Sequence, residues 1–147
     1  MITVKTLLKN KGKTIWSVSP GTSIIEALKL MAEKDIGAVL VMEQENLVGI
    51  FSERDYARKI IFLEQPPENT TVQEMMTAEI SSAQPYHTLA ECMAIMNDRH
   101  IRHLPVLDGE KLTGMISIRD VMGALIVEQE KDIETYEKLI LDSDLDF

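Results

Sequence analysis

The chain has 147 residues, 45% of them hydrophobic, with a formal net charge of −9 and a single cysteine. A chain this long buries about 68–70% of its unfolded surface as one compact domain or two intimate halves, so folding needs no metal or disulfide. The acidic balance argues against a nucleic-acid partner, the lone Cys92 excludes an intramolecular disulfide and a cysteine-based zinc site, and no apolar run approaches a bilayer span. Residues 1–5 lack the apolar stretch of a signal peptide, so a soluble, cytoplasmic protein with no membrane contact is expected. Residues 128–147 hold eight acids and two bases, which leaves only −3 on the rest and allows a local cationic pocket.

In chain order, Val4, Leu7 and Leu8 suit a short helical lead-in within residues 1–13. Residues 14–18 read as a strand ended by Pro20-Gly21. Ser23 and Glu26 form a capping box ahead of Ile24, Ala27, Leu28 and Met31, which share one helix face. Residues 38–42 are a continuous apolar run, as in a strand covered on both faces. A turn at 43–46 leads to a second strand at 47–51, and a helix is expected from Ser52. Pro66-Pro67-Glu68-Asn69 breaks the chain, and residues 72–76 suit a second short helical lead-in.

The design then recurs. Thr88 and Glu91 cap a helix with the stripe Leu89, Cys92, Met93 and Met96, Asp108-Gly109 favours a hairpin, and a helix is expected from Ser117. Cys92 thus reads as a small core residue and Trp16 as packing, with stacking on a base as its alternative role. Past Val127 the helical pattern runs on through Ile133, Tyr136 and Ile140, with Glu134 and Lys138 outside. This tail docks on its own module or on a second subunit, and residues 142–146 are expected to fray.

The two halves are copies. At an offset of 65, residues 17–61 and 82–126 share 13 identities in 45 positions, whereas composition alone would give about two or three. The period is too long for a helical solenoid. The expectation is an α+β protein of two tandem β-α-β-β-α repeats about a pseudo-twofold axis, with a cleft that presents each motif twice. The boundaries read as 1–13 (lead-in), 14–64 (first repeat), 65–79 (linker with a short helix), 80–127 (second repeat) and 128–147 (acidic amphipathic helix).

Ser52-Glu53-Arg54-Asp55 and Ser117-Ile118-Arg119-Asp120 each stand where an apolar strand becomes a helix. Ser-x-x-Asp is also a capping box, and on that reading the four residues only start a helix. The arginines argue for more, because Arg54 and Arg119 fall in the first turn, where the macrodipole disfavours a cation. Free N–H groups, a positive helix end and a guanidinium suit a phosphate. The aspartate suits the vicinal hydroxyls of a ribose. Phosphate and diol together point to a nucleotide.

The pattern Gly-hydrophobic-hydrophobic-Ser-x-Arg-Asp closing each repeat, with His103-Leu104-Pro105-Val106 as second strand, resembles the CBS motif over residues 14–127. The paired arrangement is similar to a CBS pair, or Bateman module, and the tail resembles that of small stand-alone bacterial CBS-pair proteins. The resemblance implies two related clefts that commonly bind adenosine-containing ligands such as AMP, ATP, NAD or S-adenosylmethionine. It implies Asp120 as ribose partner in one cleft, beside Ser117, with Ser17, Val18, Thr22, Ile36, Gly37 and Ala38 sharing the ligand. In the other it implies Asp55 and Ser52 with Ser82, Ala83, His87, Ile101, Arg102 and His103, the last two directed toward phosphate. The first repeat departs from the pattern, with Gly37 and Ala38 where the second has Arg102 and His103, so the clefts are not chemically equivalent. His103 also fits a satisfied histidine near a strand end, and His87 and His100 fit ordinary surface residues.

No catalytic constellation, phosphate-binding glycine loop or metal-ligand cluster stands out in the sequence. The expectation is a non-catalytic sensor that binds adenine nucleotides, forms a homodimer and acts on a partner protein in trans. The alternative is a dimerising interaction scaffold with empty or vestigial clefts.

Overall fold

The computed structural model describes residues 1–12 and 14–144, with side chains through Leu141. The elements are α1 (Val4–Lys11), β1 (Ser17–Val18), α2 (Ile24–Lys34), β2 (Ala38–Glu43), β3 (Asn46–Ser52), α3 (Glu53–Lys59), α4 (Val72–Met75), α5 (Leu89–Arg99), β4 (His103–Asp108), β5 (Lys111–Ser117) and α6 (Ile118–Asp144). Short 3₁₀ turns at Ile60–Phe62 and Pro67–Asn69 occupy the connector.

The forward half of each expected capping box is present at α2 and α5. Ser23 Oγ accepts from Glu26 N–H and Thr88 Oγ1 from Glu91 N–H, both at 3.1 Å, satisfying donors that the first turn leaves free. Ile24, Ala27 and Met31 are buried on α2, as are Leu89, Cys92 and Met96 on α5. Burial, followed by the charge of Glu91, pushes the Cys92 thiol up to about 11, so it is an inert core group.

β2 and β3 pair antiparallel, with Ala38 opposite Ser52, and β4 and β5 do the same with His103 opposite Ser117. β1 lies parallel to β2 over Ser17 and Val18. It is shorter than the strand expected at 14–18, although Leu40 N–H still donates to Trp16 O at 3.2 Å, and Thr14, Ile15 and Trp16 line a cleft. In the second repeat the same role falls to a single parallel bridge, Ala83–Val106.

Each lead-in helix serves the opposite repeat. On α1, Val4, Leu7 and Leu8 join the core of Leu89, Cys92, Met96, Leu104, Val106 and Ile116. On α4, Val72 and Met75 join the core of Ile24, Met31, Val41 and Phe51. The backbone repeats the arrangement: Val4 N–H donates to His87 O and Val72 N–H to Thr22 O, while Leu89 N–H donates to Ile2 O and Ile24 N–H to Thr70 O. Burying each large apolar side chain of a lead-in is worth about 1.5–3 kcal/mol, so each repeat leans on a segment from the other end of its twin.

The glycine of each motif makes this docking possible. A Cβ at Gly114 on β5 would lie 2.8 Å from Leu8 Cδ2, and one at Gly49 on β3 would collide with Met76 Sδ. The motif glycines therefore admit the lead-ins.

α6 is continuous for 27 residues, so the tail extends the closing helix of the second repeat. Ile126, Val127, Ile133 and Tyr136 are exposed on it, so this stretch does not dock on its own module. The helix holds through Asp144 where fraying is expected from 142, and 145–147 lie outside the described residues.

Candidate functional site

Both Ser-x-Arg-Asp corners are real strand-to-helix turns closed by their own carboxylates. Asp55 Oδ2 accepts from Ser52 N–H and Ser52 Oγ, each at 3.0 Å, and Asp55 N–H donates to Ser52 Oγ at 3.1 Å. Thr77 Oγ1 reaches Asp55 Oδ1 at 3.4 Å. At the second corner Asp120 Oδ2 accepts from Ser117 N–H at 2.8 Å, and Asp120 N–H donates to Ser117 Oγ at 3.1 Å. The capping reading is therefore correct for both motifs, and any ligand role is additional to it.

One feature separates the corners. Lys11, the last residue of α1, donates from Nζ to Asp120 Oδ2 at 2.6 Å and to Met115 O at 2.7 Å. Burial alone would raise the Asp120 pKa, but hydrogen bonds from Lys11 and Ser117, with the Lys11 charge, outweigh it and hold the carboxyl below its ordinary value. Asp120 is ionised near neutrality and paired to a cation that crosses from the N-terminal helix.

His103 stands between the corners. It pairs in the sheet with Ser117, and a Cβ on Gly37 of the other repeat would lie 3.4 Å from its ring. Its surroundings hold Lys11, Asp120, Arg102 and Asp55; burial and then Lys11 lower its pKa, and the two carboxylates only partly compensate. The imidazole is therefore neutral at pH 7. The resemblance groups His103 with Asp55; the structure sets it beside Asp120 and Gly37 while leaving it within electrostatic reach of Asp55.

Two clefts flank this seam. One, of about 160 Å³, is lined by Lys11, Thr14, Ile15, Trp16, Ile36 and Met115. One face of Trp16 is covered by Lys34 Nζ, 4.5 Å from the ring centroid. The other cleft, of about 210 Å³, lies between Arg54 and Arg102 over Met93, Met96, Ile101 and Ile118. Arg54 Nη1 donates to His100 O at 3.4 Å, so this arginine crosses to the second repeat. Arg119 is exposed.

The remaining candidates divide. Ile36 enters the Lys11 cleft, and Ile101 and Arg102 enter the Arg54 cleft. Gly37 meets His103, while Ala38 and Ala83 are core residues. Ser17 is exposed, and Val18 and Ser82 are half-buried. Thr22 and His87 have local work instead: Ser19 N–H donates to Thr22 Oγ1 at 3.2 Å, and Gln84 N–H to His87 Nδ1 at 2.8 Å. Lys11, Thr14, Ile15 and Met115 escaped the sequence reading as cleft residues, and Trp16 reads first as packing. A lysine ending a helix is ordinary dipole compensation, so only Trp16, an aromatic beside a strand, offered a signal.

Comparison with known proteins accounts for this plan. The CBS domain model matches residues 12–61 and again 72–127. The chain is 34% identical over 142 residues to the mitochondrial CBS domain-containing protein CBSX3 of Arabidopsis thaliana, covering 90% of this chain and 68% of that one. It is 43% identical to the crystal structure of CBS domain NE2398, with a TM-score of 0.84 over 86% of this chain and 99% of that one. At 22% identity and a TM-score of 0.76 the fold also matches the CBS domain pair of protein MJ0100, crystallised with 5′-methylthioadenosine and S-adenosyl-L-methionine, over 87% of this chain and 98% of that one. With one domain model fitted twice to two cross-braced halves of an α+β body, the chain belongs to the CBS-domain family and carries the domain as a tandem pair.

Proposed function

We propose that this CBS pair is a non-catalytic regulatory module that binds an adenosine-containing ligand, of the AMP, ATP, NAD or S-adenosylmethionine kind, in the cleft at Asp120. The observation that carries the reading is the juxtaposition of an ionised carboxylate, a wall of Ile15, Trp16 and Ile36, and the cation Lys11 near His103. These groups suit a ribose diol, a purine face and a phosphate respectively. The adenosine compounds bound by the MJ0100 pair support the same ligand class. A ligand held between the repeats stabilises whichever arrangement it binds better, and a partner protein in trans reads that arrangement.

Calorimetry and thermal melts with AMP, ADP, ATP, NAD(H) and S-adenosylmethionine test this. Ligand at 100 times its dissociation constant adds about 2.7 kcal/mol of stability, and Asp120→Ala removes about 1.5–3 kcal/mol of binding. Neither heat nor a melting shift with any compound would end the nucleotide reading.

One observation favours a second reading, a homodimeric scaffold. Met122, Ile126, Ile133 and Tyr136 on α6 are exposed, and their 4-7-3 spacing puts them on one face of the helix at heptad-like positions.

A further inference from the structure

We propose that Lys11 is a latch on the Asp120 cleft, displaced by the ribose and then captured by the phosphate of the same ligand, so that the cleft takes phosphorylated adenosine compounds and turns away uncharged nucleosides. This rests on the nucleotide reading above and narrows its ligand class.

Lys11 already holds one oxygen of the carboxylate a ribose would use. Its Nζ lies 2.6 Å from Asp120 Oδ2 and 2.7 Å from Met115 O, and Ser117 N–H takes a further share of that oxygen. The cleft beside it has a volume of about 160 Å³, whereas small-molecule pockets start near about 300 Å³. Lys11 is one of the groups on its wall, so swinging the lysine aside both widens the cleft and frees the carboxylate. The root of the side chain stays put, because Leu7 and Leu8 anchor α1 in the core and Gly12, at φ +98°, ends the helix with its N–H on Leu8 O at 2.9 Å. The side chain itself is 37% exposed and can move.

What happens to the displaced ammonium decides the specificity. The nearby groups include the cation Arg102 and a His103 imidazole already disfavoured as a cation. The other neighbouring carboxylate, Asp55, is engaged by Ser52 and Thr77. A neutral nucleoside takes Asp120 from Lys11 and returns nothing. A phosphate returns an anion, in the charge-assisted hydrogen bonding that ammonium groups favour.

The test is calorimetry on the full chain and its Lys11→Met and Lys11→Arg variants, with AMP, adenosine and 5′-methylthioadenosine as probes. The wild type is expected to bind AMP at least about tenfold tighter than either neutral compound, one charge-assisted hydrogen bond's worth. Lys11→Met weakens AMP, leaves adenosine unchanged or tighter, and brings the ratio below about threefold. Lys11→Arg keeps the charge and most of the preference. Equal binding of AMP and adenosine by the wild type, an unchanged ratio in Lys11→Met, or a Lys11→Arg that behaves like Lys11→Met each overturns the latch and leaves the nucleotide reading standing. If none of the three probes binds while another adenosine compound does, the latch alone falls; silence from every adenosine compound overturns both.

Discussion

Two groups share the carboxylate of Asp120: the Ser117 backbone, which starts a helix with it, and Lys11, which ties the N-terminal helix to it. Both favour the ionised form, and the folded pKa lies below the ordinary 3.8. A depressed acid pKa contributes stability that is complete above the unfolded value and is lost as pH falls through the folded one. Urea midpoints of the wild type should therefore fall more steeply below about pH 4 than those of Asp120→Asn, which lacks this titration. His103 gives the second limb of the same profile. With its folded pKa below 6.5, the neutral ring's contribution is complete above about pH 6.5 and declines as the unfolded state takes up a proton below that value. His103→Gln should flatten the stability profile between about pH 6.5 and pH 5, and an unchanged slope there would contradict the buried neutral imidazole.

At the level of elements, the crossed lead-ins make a sharper prediction than any surface contact. Gly114→Ala places a methyl against Leu8 and should cost about 1–3 kcal/mol of stability as overpacking. Hydrogen exchange should locate the loss in α1 and the second repeat. Protection lost instead around α2 and β3 would refute the assignment of α1 to the second core. Local signals were legible from the sequence: the caps at Ser23 and Thr88, the buried stripes of α2 and α5, the hairpins, and the doubled corner with its capping chemistry. Pairings between distant segments were not. Val4, Leu7 and Leu8 mark an apolar face without naming the sheet that covers it, and the spacing around Gly114 does not reveal the Leu8 methyl it accommodates. The same blindness hid Lys11, whose partner is 109 positions away.

For the whole molecule, Ile126, Val127, Ile133 and Tyr136 of α6 are exposed beyond their own module. The homodimer proposed for that face should appear in light scattering as a two-chain species, and Ile133→Glu with Tyr136→Glu should return it to one chain without unfolding it. A wild type that stays single at high concentration would remove the scaffold reading and leave the cleft untouched. None of the helices in the described residues is long and apolar enough to cross a membrane. The exchange of lead-in helices also bears on biosynthesis. α1 leaves the ribosome well before the strands that cover Leu7 and Leu8, so its apolar side waits, uncovered, until translation has passed Ile116. Native contacts that span so much chain form late, and maturation of the second half is the step that gathers in α1.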